Sequence, residues 1–166
     1  MAVRTGWAGN FYEDFEVGDV YRHAAGRTVT ETDNIWFTLL TCNMNLNHID
    51  VQYAGRTEFG RSLFNSGMTL AIVNGLTVAD ISDNAVANLG WDEIRLPAPV
   101  FVGDTLYAES TILAKRPSKS RPYAGIVHVA TRGFTQKDTT VITFTRTAMI
   151  YTRAGSPKPG VRPDGS

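Results

Sequence analysis

The sequence predicts a single α+β domain in which a curved antiparallel sheet of about five strands wraps around one central, buried helix. Residues 68–82, "MTLAIVNGLTVADIS", are apolar on nearly every face, and a helix of this kind is buried on most sides. Four strand-like segments follow, and short polar links such as "KDT" join them, which favours antiparallel hairpins. A sheet curled around the helix is the simplest way to bury it.

The elements before the central helix are predicted to be short. Residues 15–29 have the pattern of a turn and a strand, and residues 30–41 that of a helix. Thr30 or Thr32 is a suitable N-cap for this helix, and Asp33 falls in its first turn. The predicted apolar face of the helix consists of Ile35, Trp36, Leu39 and Leu40.

One or two further helical turns are predicted over residues 50–57, with Asp50 as N-cap. The strands after the central helix are predicted at residues 89–100, 104–116, 124–136 and 139–153. In the last of these, apolar and polar residues alternate with the period of a half-buried strand. We assign residues 1–153 to the domain, and the Pro/Gly/Ser-rich residues 154–166 to a flexible C-terminal tail.

Composition narrows the class of protein. The chain has 166 residues, of which 43% are hydrophobic and 19% charged, which suits one folded domain rather than a disordered chain. Sixteen basic residues balance sixteen acidic ones, so no basic face for nucleic acid is indicated. No apolar run reaches the roughly 20 residues that span a bilayer, and the N-terminus lacks the apolar segment of a signal peptide. The single cysteine, Cys42, fits a reducing compartment, and we expect a cytoplasmic protein.

The segment "NMNLNHID", residues 43–50, concentrates polar chemistry. It contains four amide or carboxylate side chains around one imidazole, which is unusual for a core segment. An imidazole titrates near neutral pH and suits a general base. The surrounding amides can orient a water molecule but cannot take its proton.

This segment resembles the hydratase motif of the MaoC-like dehydratases, the (R)-specific enoyl-CoA hydratases with a hotdog fold. The motif, Asp-x-Asn-Pro-(Leu/Ile)-His-x-Asp, is matched at Asn43, Asn45, Leu46, Asn47, His48 and Asp50. Asn43 replaces the usual first aspartate, and Leu46 stands where proline follows asparagine. "NSGMTL" and "LPAPVFVGDTLYAES" also resemble this family, and the resemblance covers about residues 10–153. Several segments are most similar to the mesaconyl-CoA and itaconyl-CoA hydratases.

The resemblance implies an acyl-CoA hydro-lyase that reversibly hydrates a trans-2-enoyl-CoA. The branch similarity implies a short branched dicarboxylyl-CoA substrate, such as mesaconyl-CoA or itaconyl-CoA. It also implies a homodimer or a multiple of dimers. No cofactor is expected, because CoA is part of the substrate.

The same resemblance implies roles for four residues. His48 would be the base, and Asn43 would orient the attacking water. The thioester oxygen would bind the Gly67 N–H at the start of the central helix, where unpaired N–H groups favour negative charge, with the Ser66 hydroxyl nearby. The structural alternatives are a loop histidine at 48, an N-cap at Ser66 and a turn residue at Gly67.

Two pairs of arginines are candidates for binding anions. Arg56 and Arg61 flank "TEF", and either guanidinium suits a free substrate carboxylate. Arg116 and Arg121 lie in "KRPSKSRP", where a basic hairpin could hold CoA phosphates. Surface roles explain the first pair equally well, and a solvated hairpin turn explains the second pair better.

Two other functions remain open. A hotdog acyl-CoA thioesterase would usually require a carboxylate where this chain has Asn43. A non-catalytic acyl-CoA-binding module is the other alternative, and the missing carboxylate keeps it open. No metal site is predicted, because His23 and His128 are not accompanied by cysteine or carboxylate clusters.

Overall fold

The computed structural model describes residues 7–158, and within this range one antiparallel sheet contains six strands. They are β1 (Val20–Arg22), β2 (Arg27–Thr28), β3 (Ala85–Arg95), β4 (Thr105–Pro117), β5 (Ala124–Thr135) and β6 (Thr140–Tyr151). Their order is β1-β4-β5-β6-β3, and β2 also pairs with β4. Because β1 and β2 occupy one edge position in succession, the sheet is five positions wide, which confirms the predicted number.

The helices of the described range all precede β3. They are α1 (Glu31–Leu40), α2 (Leu46–Ile49), α3 (Val51–Ala54) and α4 (Ser66–Leu76), with single turns at Tyr12–Asp14 and Val78–Ser82. The predicted helix over 68–82 therefore starts earlier and ends sooner. The α-helical hydrogen-bond pattern of α4 stops at Thr77. The N–H and the hydroxyl of Thr77 both donate to the Asn74 carbonyl, and this tightens the last turn.

The main core lies between α4 and the sheet. Val73 of α4 is fully buried and packs among side chains of β4 and β6 such as Leu106 and Ile142. Gly133 of β5 permits this close approach, because a Cβ atom there would lie 2.7 Å from Val73 and 2.6 Å from Ile142. A glycine inside a strand often marks such a contact.

The central helix is covered on one face only. Thr69 and Val73 are its buried residues, while Ala71 and Gly75 are exposed. The sequence-based expectation of burial on most sides is therefore wrong for one chain, because the sheet of a single chain reaches only one side of α4.

Helix α1 also differs from its prediction. Trp36 is 65% exposed and Leu40 is 77% exposed, whereas the buried residues are Asn34 and Thr38. The predicted apolar face therefore lies outward. Polar residues face inward because α1 covers backbone groups of neighbouring segments, which need hydrogen-bond partners.

The first residues of the predicted tail lie against the domain. Ser156 is buried, and Lys158 pairs with Asp83 and donates to the Ala8 carbonyl. The remaining part of the predicted tail, residues 159–166, lies outside the described residues.

Candidate active site

His48 lies on α2, a short helix that the sequence pattern did not predict. Asn45 caps it, with its side-chain oxygen accepting from the Asn47 N–H at 3.0 Å. The imidazole is half-buried, and its Nδ1 lies 2.9 Å from the Leu63 carbonyl oxygen. A carbonyl oxygen can only accept, so Nδ1 carries the hydrogen and a neutral ring keeps its lone pair on Nε2. This is the form that a general base requires.

Two pockets meet at His48. The apolar pocket has a volume of about 300 Å³. It is lined by His48, Phe59, Leu63, Phe64, Ser66, Thr69, Leu96, Pro97, Ala98, Pro99, Val100 and Val141. The Arg61 pocket has a volume of about 230 Å³ and is lined by Glu31, Asn34, Ile35, His48, Ile49, Val51, Arg61, Ser62 and Val102. The imidazole therefore borders one apolar and one charged compartment.

The N-terminus of α4 reaches the apolar pocket through Ser66. Asn65, not Ser66, is the N-cap, and its Oδ1 accepts from the Gly67 N–H at 2.9 Å. The N–H expected to bind a thioester oxygen is therefore already paired. Within residues 7–158, the Ser66 N–H and hydroxyl have no hydrogen-bond partner, so the free donors lie one residue earlier.

Gly67 has a packing role as well. A Cβ atom at this position would lie 3.3 Å from the ring of Phe37 on α1. The glycine therefore lets α1 cross close to the start of α4 without the tight contact that a Cβ atom would make.

No hydrogen bond joins Asn43 to His48 within residues 7–158. The Asn43 Oδ1 accepts from the Asn45 N–H at 3.3 Å, which forms the turn before α2. Its side chain lines neither of the two pockets, although no acceptor within the described range occupies its Nδ2. The two residues expected to share one water therefore do not line a common pocket.

The two arginines near α3 have different surroundings. The Arg61 guanidinium lies 3.7 Å from the centre of the Phe101 ring and lines a pocket with His48. Both arginines are exposed, but Arg56 lines neither pocket. Only Arg61 is therefore brought near the imidazole.

Arg116 and Arg121 lie at the opposite end of the sheet. Arg116 pairs with Ile126, ten positions along β4 from the pairing of Leu106 with Thr135. At about 3.3 Å per residue, the separation is roughly 33 Å. The apolar pocket is at the far end, because its Val141 follows Thr140, the partner of Phe134. Within one chain this hairpin is therefore remote from His48.

Asn34 is a site residue that the sequence pattern did not reveal. Its Nδ2 donates to the carbonyls of His48 and Leu63 at 3.0 and 2.9 Å, and its Oδ1 accepts from the Asn65 N–H at 2.8 Å. Its neighbour Asp33 pairs with Arg27 through two hydrogen bonds of 2.8 and 2.7 Å. The Arg27 guanidinium, with help from Thr30, holds the pKa of Asp33 well below its usual range.

A second imidazole, His23, belongs to a different cluster. Its Nδ1 lies 2.7 Å from Asp80 Oδ2, and its Nε2 lies 2.9 Å from Ser110 Oγ. His23 and Ser110 are both buried, and neither lines the pockets at His48. Within residues 7–158, no group of three or more His, Cys, Asp or Glu side chains is arranged to hold a metal ion, and no helix has the length and apolarity to cross a membrane.

The fold agrees closely with solved structures. A MaoC domain protein dehydratase from Chloroflexus aurantiacus superposes with a TM-score of 0.86 at 34% identity, over 95% of this chain and 45% of that chain. A Mycobacterium tuberculosis protein with a double hotdog fold superposes with a TM-score of 0.79 at 23% identity, over 92% of this chain and 47% of that chain. Fold and site thus define a hotdog protein of the MaoC-like type.

The sequence comparison is more specific. The family model of mesaconyl-CoA hydratase matches residues 2–164, and the chain belongs to this family. The mesaconyl-CoA hydratase of Cereibacter sphaeroides is 37% identical over 158 residues, which cover 93% of this chain and 46% of the relative. The chain thus spans about half the length of the curated relatives it matches.

Proposed function

We propose that this protein is an acyl-CoA hydro-lyase that reversibly adds water to a trans-2-enoyl-CoA. The observation that carries the proposal is the hydrogen bond from His48 Nδ1 to the Leu63 carbonyl, 2.9 Å long. It leaves the basic Nε2 of a half-buried ring beside an apolar pocket. The family match adds support, since the relative from Cereibacter sphaeroides is a mesaconyl-CoA hydratase.

In the proposed reaction, His48 Nε2 takes a proton from water while the water oxygen bonds to the β-carbon. The thioester oxygen gains negative charge as the double bond opens. The Ser66 N–H and hydroxyl, at the positive end of α4, would stabilise this charge. The proton held by His48 then passes to the α-carbon, so addition is syn and nothing is oxidised or reduced. The reaction needs no cofactor besides the CoA of its own substrate.

In this proposal Asn43 orients the attacking water and does not transfer a proton. Its Oδ1 is engaged in the turn before α2, so the Nδ2 donors are the part of the amide that could orient water. An amide cannot replace a base, and His48 therefore acts alone in proton transfer.

The proposed substrate is a short, branched dicarboxylyl-CoA such as mesaconyl-CoA or itaconyl-CoA. A pocket of about 300 Å³ is at the small end of ligand sites, which suits a short acyl group. Arg61 offers a cation for the free carboxylate, whereas Arg56 lines neither pocket and is the weaker candidate. We propose that Arg116 and Arg121 contact CoA phosphates only if the acyl-CoA is shared between two chains.

The proposed assembly is a homodimer or a multiple of it in the cytoplasm. Pairing is supported by the exposed side of α4 and by the match to one half of a structure with a double hotdog fold. The single cysteine, Cys42, is exposed and unpaired, which is compatible with a reducing compartment.

The test is the loss of enoyl-thioester absorbance with crotonyl-, mesaconyl- and itaconyl-CoA. General-base catalysis contributes roughly 10²- to 10⁴-fold, so His48→Ala should slow hydration by at least about 100-fold. Asn43→Ala should lose less, since a neutral hydrogen bond is worth only about 0.5–1.5 kcal/mol. Wild-type activity in His48→Ala would refute the mechanism.

The same panel separates the alternatives. Release of free CoA thiol without loss of the double bond would identify a thioesterase. Binding of every acyl-CoA without turnover would identify a non-catalytic module.

A further inference from the structure

The imidazole of His48 is held by a carbonyl that is itself held by another side chain. The Leu63 carbonyl accepts from His48 Nδ1 and from Asn34 Nδ2, both at 2.9 Å. A carbonyl oxygen has two lone pairs, and these two donors occupy both. Its direction is therefore set jointly by the ring and by Asn34.

Asn34 also holds the main chain on which the ring is mounted. The second hydrogen of its Nδ2 group is donated to the carbonyl of His48 at 3.0 Å. Its Oδ1 accepts from the Asn65 N–H at 2.8 Å, and Asn65 caps α4. One amide thus ties α2, the segment before α4 and the α4 cap to helix α1.

Because Asn34 is buried, the loss of any of these hydrogen bonds is costly. The residue is 1% exposed, so water cannot easily replace a lost partner. An unpaired buried polar group costs roughly 1–3 kcal/mol, and losing Asn34 would leave two carbonyls and one N–H less well satisfied.

We propose that Asn34 is a positioning residue that fixes the orientation and the Nδ1–H form of His48. Asn34 acts through the imidazole, and the inference rests on the proposed role of His48 as the base. Only an amide fits this place among the common polar side chains: it donates two hydrogens to two carbonyls and accepts one from an N–H. An ionised carboxylate of the same shape would face both carbonyls without a hydrogen to donate.

The direct test is nitrogen NMR of isotope-labelled histidine, recorded at a pH where the ring is neutral. His48→Ala assigns the His48 signals among those of the three histidines. The wild type should show a protonated Nδ1 and an unprotonated Nε2. A predominantly Nε2–H ring in the wild type would overturn the proposal without any variant at Asn34.

Two variants then test Asn34 itself. Asn34→Ala and the nearly isosteric Asn34→Asp should both shift the His48 nitrogen signals toward a mixture of the two neutral forms. In both, kcat for hydration should fall on the order of 10- to 100-fold, the loss found when the group that orients a metal-ligating histidine is removed. KM should change less than kcat, because Asn34 does not line the apolar pocket, and in the Arg61 pocket, which it does line, its amide is engaged with backbone groups.

Asn84 provides a matched control. It is 2% exposed, and its Nδ2 donates to the carbonyls of Ala8 and Asn10 at 2.8 and 3.1 Å. Asn84→Ala therefore removes an equally buried amide with two similar bonds far from the pockets. It should lower stability but leave the His48 signals and kcat unchanged.

The outcomes separate this inference from the proposed function. Wild-type nitrogen signals and kcat in folded Asn34→Ala would overturn the positioning role. Altered signals in Asn34→Ala, in a protein that hydrates no enoyl-CoA, would uphold the effect of Asn34 on the ring and refute the hydration proposal.

Discussion

Arg61 and Arg56 are a natural pair for testing substrate recognition at the scale of single residues. Both are exposed, but Arg61 lines a pocket with His48 and stacks on Phe101, while Arg56 lies outside both pockets. A hydrogen bond to a charged group is worth about 1.5–3 kcal/mol. We therefore expect Arg61→Ala to lower kcat/KM for mesaconyl-CoA roughly 10- to 100-fold, and Arg56→Ala to leave it near wild type.

Crotonyl-CoA is the control substrate for this prediction, because it lacks the second carboxylate. Its kcat/KM should be nearly unaffected by Arg61→Ala. Equal losses of kcat/KM on both substrates would mean that Arg61 stabilises the fold of the site and does not bind the second carboxylate.

The sequence pattern predicted the histidine at the centre of the site but not the residue that holds it in place. His48 was indicated by its amide-rich surroundings and by the motif resemblance. Asn34 gave no signal, because its role depends on three backbone groups that lie 14 to 31 residues away. Backbone carbonyls are the same in every sequence, so a partner such as Leu63 cannot be recognised by residue type.

Helix α1 connects local capping to the site at the scale of elements. Thr30 and Asp33 form a capping box, in which each side chain accepts from the other's N–H. Asp33 also pairs with Arg27, which locks the first turn immediately before Asn34. Fraying of this turn would therefore loosen the amide that holds the imidazole.

These interactions of Asp33 predict that Asp33→Asn is less stable than wild type and that the loss of stability depends on pH. At neutral pH the variant should unfold with a free energy about 0.3–2 kcal/mol lower than wild type, the range for a carboxylate in the first turn of a helix. The pKa of Asp33 is lowered, chiefly by Arg27. The contribution of the carboxylate is therefore complete above the unfolded value of about 3.9 and is lost as the pH falls below it.

Urea unfolding at neutral and acidic pH measures this difference. The difference in the free energy of unfolding between wild type and Asp33→Asn should become smaller at acidic pH. Asp138→Asn is the control, because Asp138 pairs with Arg132 but is 78% exposed in its side chain; an exposed pair contributes about 0–1 kcal/mol. A gap in Asp33→Asn that is constant with pH would contradict the assigned role.

Three of the four long strands were predicted accurately, whereas β3 was placed four to five residues too late and the short helix α2 was not predicted. Strands β4, β5 and β6 differ from their predicted ranges by at most two residues at each end, because alternation over a dozen residues is a strong signal. Helix α2 has four residues, too few for any periodicity. The outward apolar face of α1 could not be foreseen, since an amphipathic pattern does not tell which neighbour covers it.

At the scale of the whole molecule, one chain leaves a long strand and a helix face open. Strand β3 is at the edge of the sheet, and 11 residues is long for an unprotected edge. Leu89 is 51% and Trp91 43% exposed along it. The solved structure with a double hotdog fold is matched over 47% of its length, so a second hotdog unit is the partner that such an edge suits.

We therefore predict that two copies of this chain pair along β3. Light scattering at micromolar concentration should give a mass of two chains or a multiple, against 18.2 kDa for one chain. Leu89→Lys places a charge in the paired edge, where its desolvation is costly, and should shift the mass toward one chain. Leu113→Lys, at a position 43% exposed on β4, is the control and should remain paired. A wild-type monomer, or equal dissociation of both variants, would show that β3 is not the contact.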